Sequence, residues 1–395
     1  MKQPKNGSLL DGKSYLFFSH VIKAQPENMA LLDEILHKKI RLIDYECVRE
    51  GGAGASPRLI AFGSYAGKAG VISGLRGLGL RLLALGQSTP LLAIGPPHSY
   101  GDYADACLAL RKVGNQIASQ GLPASISPFV VCVAGTGNVS RGAIESLNAL
   151  GDVVEWVSPE ELPRLSSLVG TEGEHQHKVY GVITSAEHNV QPLAGVGSTT
   201  SAGSGTTSEF DREHYYKHPE EYAPCFHKLI APHITMLVTT MYWEQRFPRL
   251  LTNEQLLALP PLHLAPQDEL SRRRLLAVAD VTCDVDGAVE ALIRDTKVDD
   301  PFYVYNDVTG AEGASGLGGP GLLMLGELRC LPHYTRSLNL QSLALCGCYR
   351  RGHPAIGAAT RGVRRIWWRA PPVYRCPRDG GITSASGALI SDHCV

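Results

Sequence analysis

The chain contains no uninterrupted apolar run of the ~18 residues that a membrane-crossing helix requires; Gly and Arg break the best candidate, residues 69–85. Its opening stretch, MKQPKNGSLLDGKSY, has neither the apolar centre of a signal peptide nor the Arg/Ser pattern of a transit peptide. A dominant charge is missing too. Lys and Arg number 37 against 38 Asp and Glu, a formal net charge of −1, which argues against wholesale binding to nucleic acid or membrane. No CxxC pair or zinc-type Cys/His spacing occurs among Cys47, Cys107, Cys132, Cys225 and Cys283, so packed, reduced thiols are expected. Beyond Gly326 lysine is absent: the segment holds ten Arg, three acids, half of the ten cysteines and Trp367 with Trp368. A basic arm is one reading of it. The lack of helical or strand periodicity makes a poorly ordered tail the expectation.

What is present is an alternating pattern. The chain has 395 residues, room for roughly two or three domains of about 150 residues each, and its 44% hydrophobic content is ample for a core. SYLFF, RLIDYE, PRLIAF, PFVVCVA, DVVEWV, KVYGVIT, HITMLVTT, RLLAVADV and FYVYN read as strands, several of them apolar on both faces as buried parallel strands are. NMALLDEILHKK, AGVISGLRGLGLRLLALG, SRGAIESLNAL and NEQLLAL read as the helices between them. This alternation predicts an α/β fold with doubly wound parallel sheets. Residues 195–208 and 310–320, rich in Gly, Ser and Thr, are expected to be exposed, flexible segments.

The most informative stretch is PFVVCVAGTGNVSRGAIESLNALGDVVEWV, residues 128–157. A buried strand enters Gly135-Thr136-Gly137-Asn138-Val139, an amphipathic helix follows, and a second strand closes the unit. Gly135 allows the tight turn and Gly137 lets a pyrophosphate approach the backbone, so that phosphate rests on the first N–H groups of the helix. Ser140 stands where a third glycine is usual and is still small enough for close helix–strand packing. An acid at the tip of the second strand would hold the ribose 2′-hydroxyl of NAD. Glu155 lies inside that strand and its tip, Trp156-Val157-Ser158, is neutral. NADPH is therefore the expected cofactor, ahead of NAD.

The order of SYLFFSHVIKAQ, LLDEIL, RLIDYE, RLIAFGSYAGKAG, GLRLLALG, GTGNVSRGA, KVYGVI, YWEQRFPRLLT and LLAVADVTCDVDGAVE resembles that of lysine–ketoglutarate reductase, the N-terminal half of the bifunctional α-aminoadipic semialdehyde synthases. The resemblance covers about residues 1–325, and extends more distantly to fungal saccharopine dehydrogenase and alanine dehydrogenase. It implies two Rossmann-like domains with the site in the cleft between them. It also implies a reaction, the NADPH-dependent reductive condensation of L-lysine with 2-oxoglutarate to saccharopine. Carried over by position, Lys2 and His20 are the acid–base pair, and an imidazole suits proton transfer near neutral pH. Lys23, Gln25, Glu46 and Arg58 match substrate-binding positions, with Glu46 facing the lysine ammonium and Arg58 gripping a carboxylate. Asp280 and Asp284 match acids near the nicotinamide. His214 and His218 resemble metal spacing but stand beside a helix-starting Pro219, so they are read as structural and no metal is expected.

The resemblance also implies boundaries: a partial catalytic domain over residues 1–100, a dinucleotide domain over 101–310, and a divergent tail over 311–395. The family has further residues before Lys2, and a different segment after GLLML that returns to the first domain; RDGGITSASGAL again resembles the family, as if the stretch between were read in another frame. On these grounds the first domain is expected to be incomplete. The alternative function is an inactive fragment that keeps dinucleotide binding or pairs with a full-length relative. An alanine-dehydrogenase-like oxidoreductase fits RLIDYE and YWEQRFPRLLT less well. The mitochondrial matrix is the compartment the resemblance implies, and the sequence leaves room for a homo-oligomer.

Overall fold

The computed structural model describes residues 4, 7–23, 26–49, 60–193, 210–261 and 273–326. Two compact units divide the chain, the first ending at Phe62 and the second beginning at Gly63. In the first unit, strand β1 (Ser14–Phe17), helix α1 (Pro26–His37) and strand β2 (Arg41–Asp44) form one β–α–β crossover. The strands are parallel and paired from Ser14↔Arg41 to Phe17↔Asp44. Leu31 and Ile35, one helical turn apart on α1, close a small core with Leu9 and Phe17.

The second unit opens with a long helix, α2 (Gly63–Ala84), followed by α3 (Tyr103–Gln120). After it come β3 (Phe129–Ala134), α4 (Asn138–Asn148), β4 (Val154–Val157), α5 (Leu162–Ser166), β5 (Val179–Thr184) and α6 (Ala186–Asn189). A short antiparallel pair, β6 (Val190–Pro192) and β7 (Tyr222–Pro224), flanks α7 (Arg212–Lys217). The remainder is α8 (Phe226–Leu229), β8 (Met236–Thr239), α9 (Asn253–Leu257), β9 (Ala277–Asp280), β10 (Tyr303–Asn306), β11 (Ala311–Glu312) and β12 (Leu322–Gly326). Eight of these strands make one sheet in the order β11-β10-β12-β9-β8-β3-β5-β4. The six from β12 to β4 are parallel; β10 and β11 run antiparallel at one edge.

Side-chain alternation explains why both faces of this sheet are covered. Phe129, Val131 and Val133 of β3 enter one core with α2, α3 and α4, while Val130, Cys132 and Ala134 enter the other with Leu162, Phe226 and Leu256. β8, β9 and β12 divide their residues the same way. The sheet is therefore doubly wound, as the alternating sequence pattern predicts. Every expected strand from PFVVCVA to FYVYN is present. PRLIAF falls largely outside the described residues, as do the loop at 195–208 and the tail from 327. Of the five cysteines described, Cys132 and Cys225 are buried, Cys107 and Cys283 are half-buried, and Cys47 is exposed rather than packed.

Three expectations need correction. The domain boundary expected at residue 100 lies at Phe62/Gly63, because α2 is apolar on most of its circumference and packs Val71, Ile72, Leu75, Leu78 and Leu82 into the core of the sheet. Residues 311–326 belong to that sheet and not to a tail: β12 is an interior strand between β10 and β9. Segment 310–320 is not a loose linker either. Arg81, fully buried on α2, donates from Nη1 to the carbonyls of Leu317 (2.6 Å) and Gly319 (3.1 Å) and from Nη2 to Gly321 (2.8 Å). Those bonds offset the cost of burying the guanidinium and anchor the approach to β12.

Glycines let α2 and α4 touch backbone to backbone. A Cβ on Gly67 would sit 1.9 Å from the Val139 carbonyl oxygen, and one on Gly142 would sit 1.8 Å from that of Ser64. Alanine in place of a helical glycine ordinarily stabilises by about 1 kcal/mol. Here overpacking outweighs that gain, so Gly67→Ala and Gly142→Ala are each expected to destabilise the protein by a net ~1–3 kcal/mol in urea unfolding. A neutral or stabilising result would contradict this packing.

Candidate functional site

In the first unit the parallel register brings two strand ends level, and Asp44 ties them together. Its carboxylate accepts from the Ser19 hydroxyl, from the Ser19 N–H (3.4 Å) and from the Glu46 N–H (2.9 Å). His20 follows β1 with φ of +56°, the left-handed region, which is strained for a residue with a Cβ. That turn sets its Nδ1 3.2 Å from Glu46 Oε2. Glu46 is buried at 5% exposure, whereas the imidazole remains 45% exposed. Phe18 stacks on the His20 ring at 6.2 Å between centroids and is itself edged by Tyr45 and Phe62, each at 5.5 Å. The arrangement is a histidine with one nitrogen held by a buried carboxylate and an aromatic platform behind it. Such a pair fixes the ring and supports a proton on Nδ1, leaving Nε2 for exchange.

Lys23 ends the short turn Val21–Lys23 just after His20. Lys2, Gln25 and Arg58 lie outside the described residues. Of the expected substrate and acid–base residues, the structure thus joins His20 and Glu46. Sequence reasoning missed Ser19 and Asp44; the signal was an Asp closing a strand immediately before a tight turn, a capping position.

In the second unit the glycine turn sits where the chain changes direction across the sheet. After β3 it winds toward β4 and β5 on one side; from β8 it continues on the other, and ligands bind at such a switch point. The turn is held from both flanks. Gly135 N–H donates to the Thr184 carbonyl at the end of β5 (2.8 Å), and Thr240, just past β8, donates to the Ala134 carbonyl from both N–H (2.9 Å) and Oγ1 (2.7 Å). Ser140 Oγ donates in turn to Thr240 Oγ1 (2.7 Å), so a small polar residue at the third position is needed for this contact. Gly135 takes φ of +129°, and a Cβ there would meet Thr240 Oγ1 at 2.6 Å. Around Gly137, by contrast, a Cβ would meet nothing within 4 Å. Gly137 caps α4 without any side-chain hydrogen bond. The first turn of a helix carries N–H groups without intrahelical partners and the positive end of its dipole, so Gly135, Thr136, Gly137, Asn138 and Val139 fit a diphosphate.

Along the same rim, Thr184, Ala134, Thr239, Asp280 and Gly326 occupy one register row across five adjacent strands. Asp280 is 1% exposed. Its Oδ1 accepts from Thr282 N–H (3.0 Å), Thr282 Oγ1 (2.6 Å) and Cys283 N–H (3.3 Å), while Oδ2 has no hydrogen-bond partner among the described residues. Asp284 is exposed in the loop that follows.

Ser158 follows β4, which is the edge strand; β5 lies between β4 and β3. The composition explains the order. β5 is buried nearly throughout and its Gly181 makes room for the Trp156 ring, whereas β4 is only partly covered and carries Glu155, paired with Lys178 at 2.5 Å. A charged, half-exposed strand suits an edge, and a continuous apolar run suits the interior. His218, Glu220 and Glu221 place ligand atoms within 4.8 Å of one another, His218 and Glu220 exposed and Glu221 half-exposed, with His214 hydrogen-bonded to Tyr222 (3.1 Å).

Burial raises the pKa of Asp280, so the folded state holds its proton more tightly than the unfolded chain does. The resulting stability is present below the ordinary carboxylate range and is lost as pH rises through the raised value. Asp280→Asn keeps the Oδ1 acceptor and removes the charge. It is expected to raise unfolding stability at neutral pH by about 1 kcal/mol or more, with the gain vanishing near pH ~4. Urea midpoints at the two pH values check this; a destabilised variant at neutral pH would contradict it.

No protein-family model matches the chain. Among curated proteins it is 41% identical over 312 residues to the α-aminoadipic semialdehyde synthase of Arabidopsis thaliana, a match covering 78% of this chain and 27% of that one. It is 39% identical over 313 residues to the mitochondrial α-aminoadipic semialdehyde synthase of Bos taurus, covering 78% of this chain and 31% of that one. Among solved structures, an L-alanine dehydrogenase aligns at a TM-score of 0.40 and 14% identity, over 89% of this chain and 69% of its own. The chain spans less than a third of the length of these curated relatives. Over 78% of its own length, then, the chain is similar to α-aminoadipic semialdehyde synthases.

Proposed function

We propose that the chain carries the site of a nicotinamide-dinucleotide-dependent reductase that joins L-lysine and 2-oxoglutarate into saccharopine. The single observation that carries the reading is His20 locked through Nδ1 to buried Glu46 at the tip of a parallel strand, in a chain homologous to the semialdehyde synthases. The relatives' name supports a role in forming α-aminoadipic semialdehyde, and the name of the bovine relative supports a mitochondrial site of action.

The chemistry asks for a proton carrier. Amine and ketone condense to a carbinolamine, its hydroxyl leaves as water after gaining a proton, and the protonated imine accepts hydride to give a secondary amine. The dinucleotide supplies that hydride. His20 Nε2 delivers the proton to the departing hydroxyl, and Glu46 keeps the ring oriented. Within this reading Glu46 acts chiefly through His20, in keeping with its burial, and the lysine ammonium is left to other groups. Lys2 is the second acid–base group, Lys23 and Arg58 hold substrate carboxylates, and Gln25 is a further substrate contact. Gly135, Thr136, Gly137, Asn138 and Val139 hold the diphosphate. Asp280, buried and with its pKa raised by that burial, lies toward the nicotinamide end, with Asp284 beyond it. NADPH is the form proposed, from the neutral tip of β4 at Ser158.

The test pairs oxidation of NADH and NADPH, with lysine plus 2-oxoglutarate present, with dinucleotide binding by calorimetry. Turnover dependent on both substrates is the expected result. His20→Ala should then lower kcat about 10²–10⁴-fold while leaving the dinucleotide Kd unchanged. Binding without turnover would assign the chain dinucleotide binding alone, and turnover insensitive to His20→Ala would remove the histidine from the mechanism.

A further inference from the structure

We infer that His214, His218, Glu220 and Glu221 form a binding site for a divalent cation of the zinc class, with two imidazoles and two carboxylates as its ligands. The inference is independent of the dinucleotide reading.

Local structure brings the four side chains together. His214 lies on α7 and His218 closes that helix, its N–H donating to the His214 carbonyl (2.8 Å). The two rings therefore stand one helical turn apart on one face, their centroids separated by 5.0 Å. Pro219 then opens a tight turn, Pro219–Glu221, in which the Glu221 N–H donates to the His218 carbonyl (3.1 Å). That turn returns two carboxylates to the rings. His214 Nε2 is 3.5 Å from Glu221 Oε2, and His218 Nδ1 is 3.5 Å from Glu220 Oε1. The base beneath is fixed, because Tyr215 and Tyr222 are buried together with Val190 and Phe247.

Two observations point to a cation between these groups. The first is spacing. Both 3.5 Å separations exceed the usual N–H···O range of about 2.7–3.2 Å. They match the ~3.4 Å edge of a tetrahedron whose centre lies about 2.1 Å from imidazole nitrogen and carboxylate oxygen, the bond lengths of zinc. The second is the tautomer of His214. The Tyr222 hydroxyl donates its single proton to the Asp211 carbonyl (3.5 Å), so it accepts from the His214 Nδ1–H (3.1 Å). Nε2 of the neutral ring then carries a lone pair that faces the Glu221 carboxylate. Two acceptors opposed across a gap repel unless a positive charge lies between them. A histidine whose other nitrogen is held by a hydrogen bond is also the form that ligates metal. Imidazole mixed with carboxylate favours zinc, copper or nickel over magnesium and calcium, which take oxygen shells. His218 and Glu220 are exposed, so an ion reaches the site directly from solvent.

Titration of the metal-free intact chain with zinc chloride, followed by calorimetry, tests the assignment, with far-UV circular dichroism confirming that each variant is folded. The readout is the difference between the unsubstituted chain and each variant, which separates this site from zinc held by cysteines elsewhere. The double variant His214→Ala/His218→Ala is expected to bind one zinc fewer per chain. Glu221→Gln should weaken the same site about tenfold or more. Tyr222→Phe keeps the buried ring and loses only the hydroxyl that orients His214, and should weaken it by about 10–100-fold. Excess magnesium should leave the bound zinc in place. Equal zinc stoichiometry and affinity in the folded double variant, or an imidazolium–carboxylate cluster that takes up no zinc at all in the unsubstituted chain, would overturn the inference. Neither result would bear on dinucleotide binding.

Discussion

The second unit depends on one constraint: the turn after β3 must be made of backbone with almost no side chains. Gly135 is clasped between the end of β5 and Thr240, where even a methyl group would collide with a hydroxyl. That clasp fixes the direction in which α4 leaves the sheet. Gly142 and Gly67 then let α4 lie against α2 with carbonyls where side chains would otherwise be. The amides that open α4 consequently face the rim of the sheet, and the space beside Gly137 stays open for an anion.

The first unit solves a different problem with local means. Two parallel strands end level, and Asp44 binds both ends through one carboxylate. Behind them a ring cluster around Phe18 supplies a rigid wall. The strained backbone at His20 is retained because these neighbours over-determine it, which is common where a side chain must be aimed. A buried carboxylate thereby holds one nitrogen of an exposed imidazole.

Much of this architecture was legible from periodicity. The continuous apolar runs of β3, β5, β8 and β9 announced buried parallel strands, and the glycine turn announced itself by its strand–turn–helix context. Strand order was not legible in the same way. The signal for the edge position of β4 was subtle: Glu155 inside an otherwise apolar strand, against the uninterrupted KVYGVIT of β5. The length of α2 and the role of Arg81 were also hidden. A glycine-rich segment at 310–320 looks flexible until a buried guanidinium some 240 positions away is found to hold its carbonyls. At the acid–base site the histidine was visible from its strand-end position, while its partner's role required the register between β1 and β2.

The central claim is that the first amides of α4 receive a diphosphate. Amide hydrogen exchange across residues 136–140, measured with and without saturating NADH or NADPH, tests it most directly. The account predicts marked slowing at these amides on addition of either dinucleotide, together with protection at the Thr184–Ser185 junction. Slowing confined to other parts of the sheet, with residues 136–140 unchanged while the dinucleotide is bound, would contradict it.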